Sequence, residues 1–152
     1  MDEAISWHLK HFYNIYIDDS KPFAVVSVET FPAPRMVRGD KWKRLNDPDP
    51  KKRQRECVTR YFNFRHTIQV LTLKQHYKVP ANGVLNAVFI MDMPKSWSMK
   101  KRDQMNLTPH TNRPDRDNLI KSIQDALCPE DGFIWDGRIT KLWGHKPYTI
   151  LY

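Results

Sequence analysis

Asp115 and Asp117 flank Arg116 immediately before, or within the first turn of, an amphipathic stretch, so backbone geometry holds two carboxylates close together. Hard divalent cations suit such a pair, because Mg²⁺ takes oxygen ligands, keeps several waters and is usually fixed by one or two carboxylates with substrate phosphate oxygens. An Asp-x-Asp pair at this place also serves as a helix cap and dipole partner, and the pair by itself leaves both readings open. Lys121 follows Asp117 by four residues, one helical turn along the same face. Either it forms a surface ion pair worth ~0.3 kcal/mol, or its ammonium orients an attacking water and stabilises charge on a phosphorane-like transition state. Asp136 is a third acid, placed at the start of a predicted strand where a closing hairpin could fold back over the helix's beginning. Alone it is a turn residue. Asp125, eight residues after Asp117, reads as a structural partner for Lys121, and Glu130 and Asp131 read as loop solvation.

Other chemistries find no support. The six histidines show no ligand spacing such as HExxH, and Cys57 and Cys128 lie far apart without a CxxC, so neither a zinc centre nor a disulfide framework is encoded. No P-loop, GxGxxG or GxSxG occurs, which removes Walker-type hydrolysis, dinucleotide redox chemistry and α/β-hydrolase acyl transfer. No run approaches the roughly 20 apolar residues of a membrane span, and the mixed charges of the first twenty residues give no secretory signal. The expected location is therefore the cytoplasm. With 25 Lys and Arg against 17 Asp and Glu, the net charge is +8. A surplus of that size favours a polyanionic partner, nucleic acid first, through counterion release.

The elements that must position these residues follow from periodicity. Residues 23–30 alternate and are β-branched, bounded by Pro22, Pro32 and Pro34, which predicts a strand. From Arg35 to Arg55 nine basic residues stand against three aspartates, a solvated basic loop. Cys57, Val58, Tyr61, Phe64, Ile68 and Leu71 recur at helical intervals and predict a helix over 54–75, closed by Pro80 and Gly83. The apolar run 83–93 predicts a buried strand, and 97–104 a short helix. Leu119, Ile120, Ile123, Ala126 and Leu127 form one stripe on the helix that Pro114 precedes and Asp115 or Asp117 can cap. Residues 138–143 and 148–152 predict two closing strands around a turn at 144–147. Trp42, Trp97, Trp135 and Trp143 suit either the core or base stacking. This order implies one small α+β domain over 21–152, with helices on a mixed sheet, and an N-terminal extension over 1–20.

RPDRDNLIKSIQDAL (113–127), followed by DGRI (136–139), resembles the signature of the RusA family of Holliday-junction resolvases. PAPRMVRGDKW (32–42) and MPKSWSMKKRDQM (93–105) are similar to basic segments of phage and prophage members, so the resemblance spans roughly residues 23 to 146. It implies a RusA-like fold, a homodimer, and metal and catalytic carboxylates at Asp115, Asp117 and Asp136, with the catalytic lysine at Lys121. Many members carry two adjacent acids at the third position, whereas here Trp135 precedes Asp136 and Gly137 follows it. Aligning on Gly-Arg-Ile makes Asp136 the functional acid; aligning on the preceding aromatics moves the match to Gly137.

The resemblance further implies a Mg²⁺-dependent endodeoxyribonuclease, with Mn²⁺ able to substitute, acting in DNA recombination and repair in a bacterial cell or phage-infected host. It resolves four-way junctions by paired symmetric nicks that leave 5′-phosphate and 3′-hydroxyl ends. Arg35, Arg38, Lys100, Lys101, Arg102, Arg113 and Arg116 are the expected DNA contacts, bringing the polyanion to an acidic centre. The competing readings are a non-catalytic branched-DNA-binding protein of the same fold and a less selective metal-dependent endonuclease.

Overall fold

The apolar run at 83–93 becomes strand β2 (Ala87–Asp92) of a computed structural model that describes every residue except Met1, Asp19, Met36, Arg38, Lys41, Trp42, Leu45, Asn46 and Asp131, and only the backbone of Lys52. The other strands are β1 (Ala24–Val26), β3 (Ile139–Gly144) and β4 (Tyr148–Leu151), in the order β1-β4-β2-β3. β2 runs parallel to β3, with Ala87 opposite Ile139, and antiparallel to β4, with Ala87 opposite Leu151. β1 pairs antiparallel with β4 alone. The expected β3–β4 hairpin is therefore wrong, because β2 lies between them and takes hydrogen bonds from both sides. Its near-continuous apolar sequence suits a strand covered on both faces. The strand expected over 23–30 shortens to three residues, since its sole partner β4 is four residues long and starts just after Pro147, which has no N–H to donate.

Parallel neighbours need a crossover, and here it carries α3 (Met99–Met105) and α4 (Arg116–Leu127). The long helix is α2 (Glu56–Lys74). Side chains alternate along β2, so Ala87 and Phe89 face Phe64 and Ile68 of α2 and Leu119 and Ile123 of α4. Val88 and Ile90 face the opposite way, toward Leu142, Ile150, Leu9 and Ile15. Leu9 belongs to α1 (Glu3–Tyr13), whose Asp2 cap accepts a hydrogen bond from Ala4 N at 2.9 Å. The result is an α+β fold with α2 and α4 on one face of a mixed sheet and α1 on the other. Residues 1–20, set apart by sequence, thus contribute fully buried side chains to the second face. Leu9→Ala should lower unfolding free energy by ~2–5 kcal/mol, the cost of emptying a closed apolar site; urea denaturation checks this, and a loss under ~0.5 kcal/mol would mean α1 does not hold the sheet.

Candidate active site

The apolar stripe of α4 fixes where its first turn points. Leu119 and Ile123 are buried beneath α2, so Arg116 and Asp117 on the opposite side face solvent. Asp115 occupies the cap position with extended backbone (φ −71°, ψ 149°), and its carbonyl accepts the Leu119 N–H at 3.2 Å. Its carboxylate makes no capping bond. Neither Asp115 nor Asp117 has a side-chain hydrogen bond or ion pair with any described residue, and both are exposed at the positive end of the helix. Asp115 thus stands at the cap position without the side-chain bond of a cap, and both acids keep their oxygens free of any described partner. The preceding turn is tied down from β3, where Lys141 Nζ donates to the carbonyls of Asn112 and Pro114, each at 2.6 Å. Burial pushes the Lys141 ammonium below its usual pKa, and the nearby Asp115 carboxylate works the other way.

The other proposed site residues are spread along α4. Lys121 Nζ lies 3.2 Å from Asp125 Oδ1, pointing away from Asp117. Asp125 also accepts the Tyr61 hydroxyl, so its structural reading holds, and burial with that bond pushes the Tyr61 phenol up. Asp136 does not fold back over the beginning of α4. It lines a cleft of about 280 Å³ with Ile120, Gln124, Trp135 and Gly137, beside the middle of the helix. The cause is strand direction: β3 runs back along α4, so Lys141 meets Pro114 while the residues before β3 meet Ile120 and Gln124. A Cβ on Gly137 would stand 2.0 Å from the Leu85 carbonyl oxygen, so position 137 cannot take an acid and the register that places the acid at Asp136 is the one the backbone allows. Trp135 is 74% exposed and donates from Nε1 to Asn82 O at 2.9 Å, a surface position, whereas Trp143 is buried. Trp42 lies outside the described residues.

Among the expected DNA contacts, Arg35, Lys100, Lys101, Arg113 and Arg116 are exposed, and Arg38 lies outside the described residues. Arg102 is half-buried, its Nε enclosed without a partner among the described residues, which makes it a poor phosphate contact. Sequence reasoning missed how the basic loop is held. Asp40 is buried and accepts from Arg55 Nε at 3.0 Å and Nη2 at 2.5 Å, while Arg55 Nη2 also donates to the Arg35 carbonyl at 2.9 Å. The Ala33 N–H reaches the Asn118 carbonyl at 3.0 Å, which lays the segment carrying Arg35 against the first turn of α4. An isolated acid amid basic residues was the available signal. On the far side, Lys101 sits 4.1 Å from the Trp97 ring, Trp97 packs on Trp143 at 5.1 Å, and Trp143 on His110 at 3.8 Å. Residues 107–110 pair along the β3 edge, including His110 N to Lys141 O at 2.9 Å, and lead straight into the turn before Asp115.

Arg55 holds the Asp40 carboxyl below the usual range, helped by the Val37 N–H and opposed by burial. A depressed folded pKa contributes stability above the unfolded value of about 3.9, lost as pH falls through the lower folded value. The stability advantage of the wild type over Asp40→Asn should therefore shrink on acidification below about pH 4. Denaturant midpoints across pH 2–7 test this, and a constant difference would remove the clamp's charge from the account.

Mg²⁺ asks for one or two carboxylates, waters and substrate phosphate oxygens. The unengaged Asp115 and Asp117 fit that donor set. Among the described residues, no three His, Cys, Asp or Glu side chains gather closely enough to hold an ion, so Asp136 stands apart from the pair. Among the described residues no helix is long and apolar enough to cross a membrane. No curated protein and no solved structure matches this chain. Residues 48–150, more than half of the chain and including α2, α4, β2, β3 and most of β4, match the family model described as endodeoxyribonuclease RusA. The chain belongs to the RusA family of endodeoxyribonucleases.

Proposed function

We infer that this protein is a Mg²⁺-dependent endodeoxyribonuclease that resolves Holliday junctions by paired, symmetric nicks leaving 5′-phosphate and 3′-hydroxyl ends. Membership of the RusA family implies Holliday-junction endonuclease activity, and the observation that carries the finer reading is the pair of unengaged carboxylates at the positive end of α4. Asp115 and Asp117 would hold the ion, and Asp136, in the cleft beside the middle of α4, is the third acid the family resemblance implies. A divalent ion bound there supplies Lewis acidity at the scissile phosphate and lowers the pKa of a bound water.

The chain's own residues do the rest. Arg35, Arg113 and Arg116, around the first turn of α4, neutralise backbone phosphates that the acids alone would repel. Lys100 and Lys101 extend this surface, with Lys101 oriented by Trp97. Lys121, half-exposed and paired with Asp125 along one helix face, can turn its ammonium to a phosphate oxygen without unfolding anything. A homodimer supplies two such centres to a substrate with two-fold character. The non-catalytic binder remains the competing reading, favoured by the separation of Asp136 from the acid pair.

Product chemistry tests the inference. Nicked duplexes from a four-way junction should be sealed by DNA ligase without prior end treatment, and a matched linear duplex should stay intact. Products that resist ligation would exclude paired 5′-phosphate and 3′-hydroxyl nicks. Equal cutting of the linear duplex would point to a less selective endonuclease.

A further inference from the structure

We propose that Lys141 is the positioning residue for the acid pair, anchoring the turn that delivers Asp115 to the metal side of the site. Neither family signature nor helix periodicity marks Lys141; it is the third residue of β3, and the fold alone brings it to α4. Its ammonium has three N–H donors, and two are spent on the carbonyls of Asn112 and Pro114 at 2.6 Å each. Those carbonyls lie three residues and one residue before Asp115, so the bonds fix the backbone on the approach to α4. The strand beneath is itself pinned, since its Lys141 carbonyl accepts the His110 N–H at 2.9 Å, closing a loop of contacts from 110 to 115 around one side chain.

This arrangement leaves the Asp115 carboxylate free. A helix-cap aspartate ordinarily turns back to bond the N–H groups of the first turn, and here it does not. The Lys141 ammonium and the Asp115 carboxylate attract one another, while the carboxylate makes no capping bond. Lys141 thus acts through Asp115, with its ammonium engaged on the backbone carbonyls of Asn112 and Pro114. Partners of this kind orient ligating carboxylates, and their loss typically costs about 10–100-fold in metal affinity.

The inference rests on the metal-dependent reading above, so its test measures metal binding as well as cleavage. Mn²⁺ titration followed by electron paramagnetic resonance would be run on wild type, Lys141→Met and Lys141→Arg, with thermal unfolding in parallel. Lys141→Met should weaken Mn²⁺ binding and raise the half-saturating Mg²⁺ for junction cleavage by about tenfold or more, with junction affinity changed less than about threefold, as expected for a residue that contacts no phosphate. Lys141→Arg, which keeps charge and donors, should recover most of both. Unchanged or tighter Mn²⁺ binding in Lys141→Met would overturn the inference, because a purely structural lysine moves only the melting temperature and a purely electrostatic one opposes the cation. Wild type that binds no Mn²⁺ overturns the metal reading itself. If Lys141→Met does not fold, Lys141→Gln keeps donors for the same carbonyls without the charge and should give the intermediate loss; wild-type Mn²⁺ affinity in that variant counts against the inference.

Discussion

Asp117→Asn is expected to slow single-turnover cleavage of a four-way junction by at least ~10²-fold, equivalent to about 2.7 kcal/mol of transition-state stabilisation, while junction binding is kept or tightened. The direction follows from what surrounds Asp117. Its carboxylate has no bond to any described residue, so the amide removes charge and ligating power without opening a hole in the fold. Removing a negative charge beside phosphates favours the DNA complex. Asp125→Asn, about two helical turns further along α4, makes the contrasting control. That acid accepts from Tyr61 and Lys121, so its loss should lower stability by ~1–3 kcal/mol through an impaired buried hydrogen-bond partner, with cleavage per folded molecule largely retained. Wild-type cleavage by Asp117→Asn would exclude the acid pair from the chemistry.

The second large effect is at Gly137. A Cβ there would lie 2.0 Å from the Leu85 carbonyl oxygen and 2.8 Å from its carbonyl carbon, both backbone atoms. The segment cannot step aside without breaking Leu85 N to Asp136 O at 3.0 Å and Ala87 N to Arg138 O at 2.9 Å, the bonds that seat β3 on β2. Gly137→Ala should therefore cost ~3 kcal/mol or more, at or beyond the upper end of ordinary overpacking, and should displace Asp136. Urea denaturation and junction cleavage at a temperature where the variant is still folded separate the two losses. A second acid at 137 meets the same obstruction, so Gly137→Asp should not rescue Asp136→Asn. Full stability of Gly137→Ala would mean the strand start is looser than its hydrogen bonds indicate.

Local signals in the sequence translated well into local structure. The stripe of Leu119, Ile123 and Ala126 and the three- and four-residue spacing in α2 are set by helix geometry, which neighbouring residues alone determine. The acid pair at the start of α4 was legible for the same reason, since two residues apart in one turn must be close. What failed was long-range. Residues 138–143 and 148–152 each look like strands, but nothing in either says that β2 will lie between them; pairing with a strand some fifty residues earlier is decided by the shared core. The same crossover carried Asp136 to the middle of α4 and Lys141 to its start, reversing the expected placement. The basic loop read as solvated because nine cations dominate its composition, while the Asp40–Arg55 clamp bridges fifteen residues and leaves no periodic trace. α1 was obscured by exposed Trp7 and Phe12, which blur the contrast between its buried and solvent faces.

One measurement decides whether the acidic start of α4 makes a metal-dependent junction endonuclease. Purified protein would be incubated with a labelled synthetic four-way junction and a matched linear duplex, in Mg²⁺ and in EDTA. Symmetric nicks are expected on the junction in Mg²⁺ alone, with none in EDTA and none on the duplex. Tight junction binding with no incision under Mg²⁺, Mn²⁺ or any other divalent metal would contradict that expectation, and would leave a junction-binding protein whose carboxylates are not catalytic.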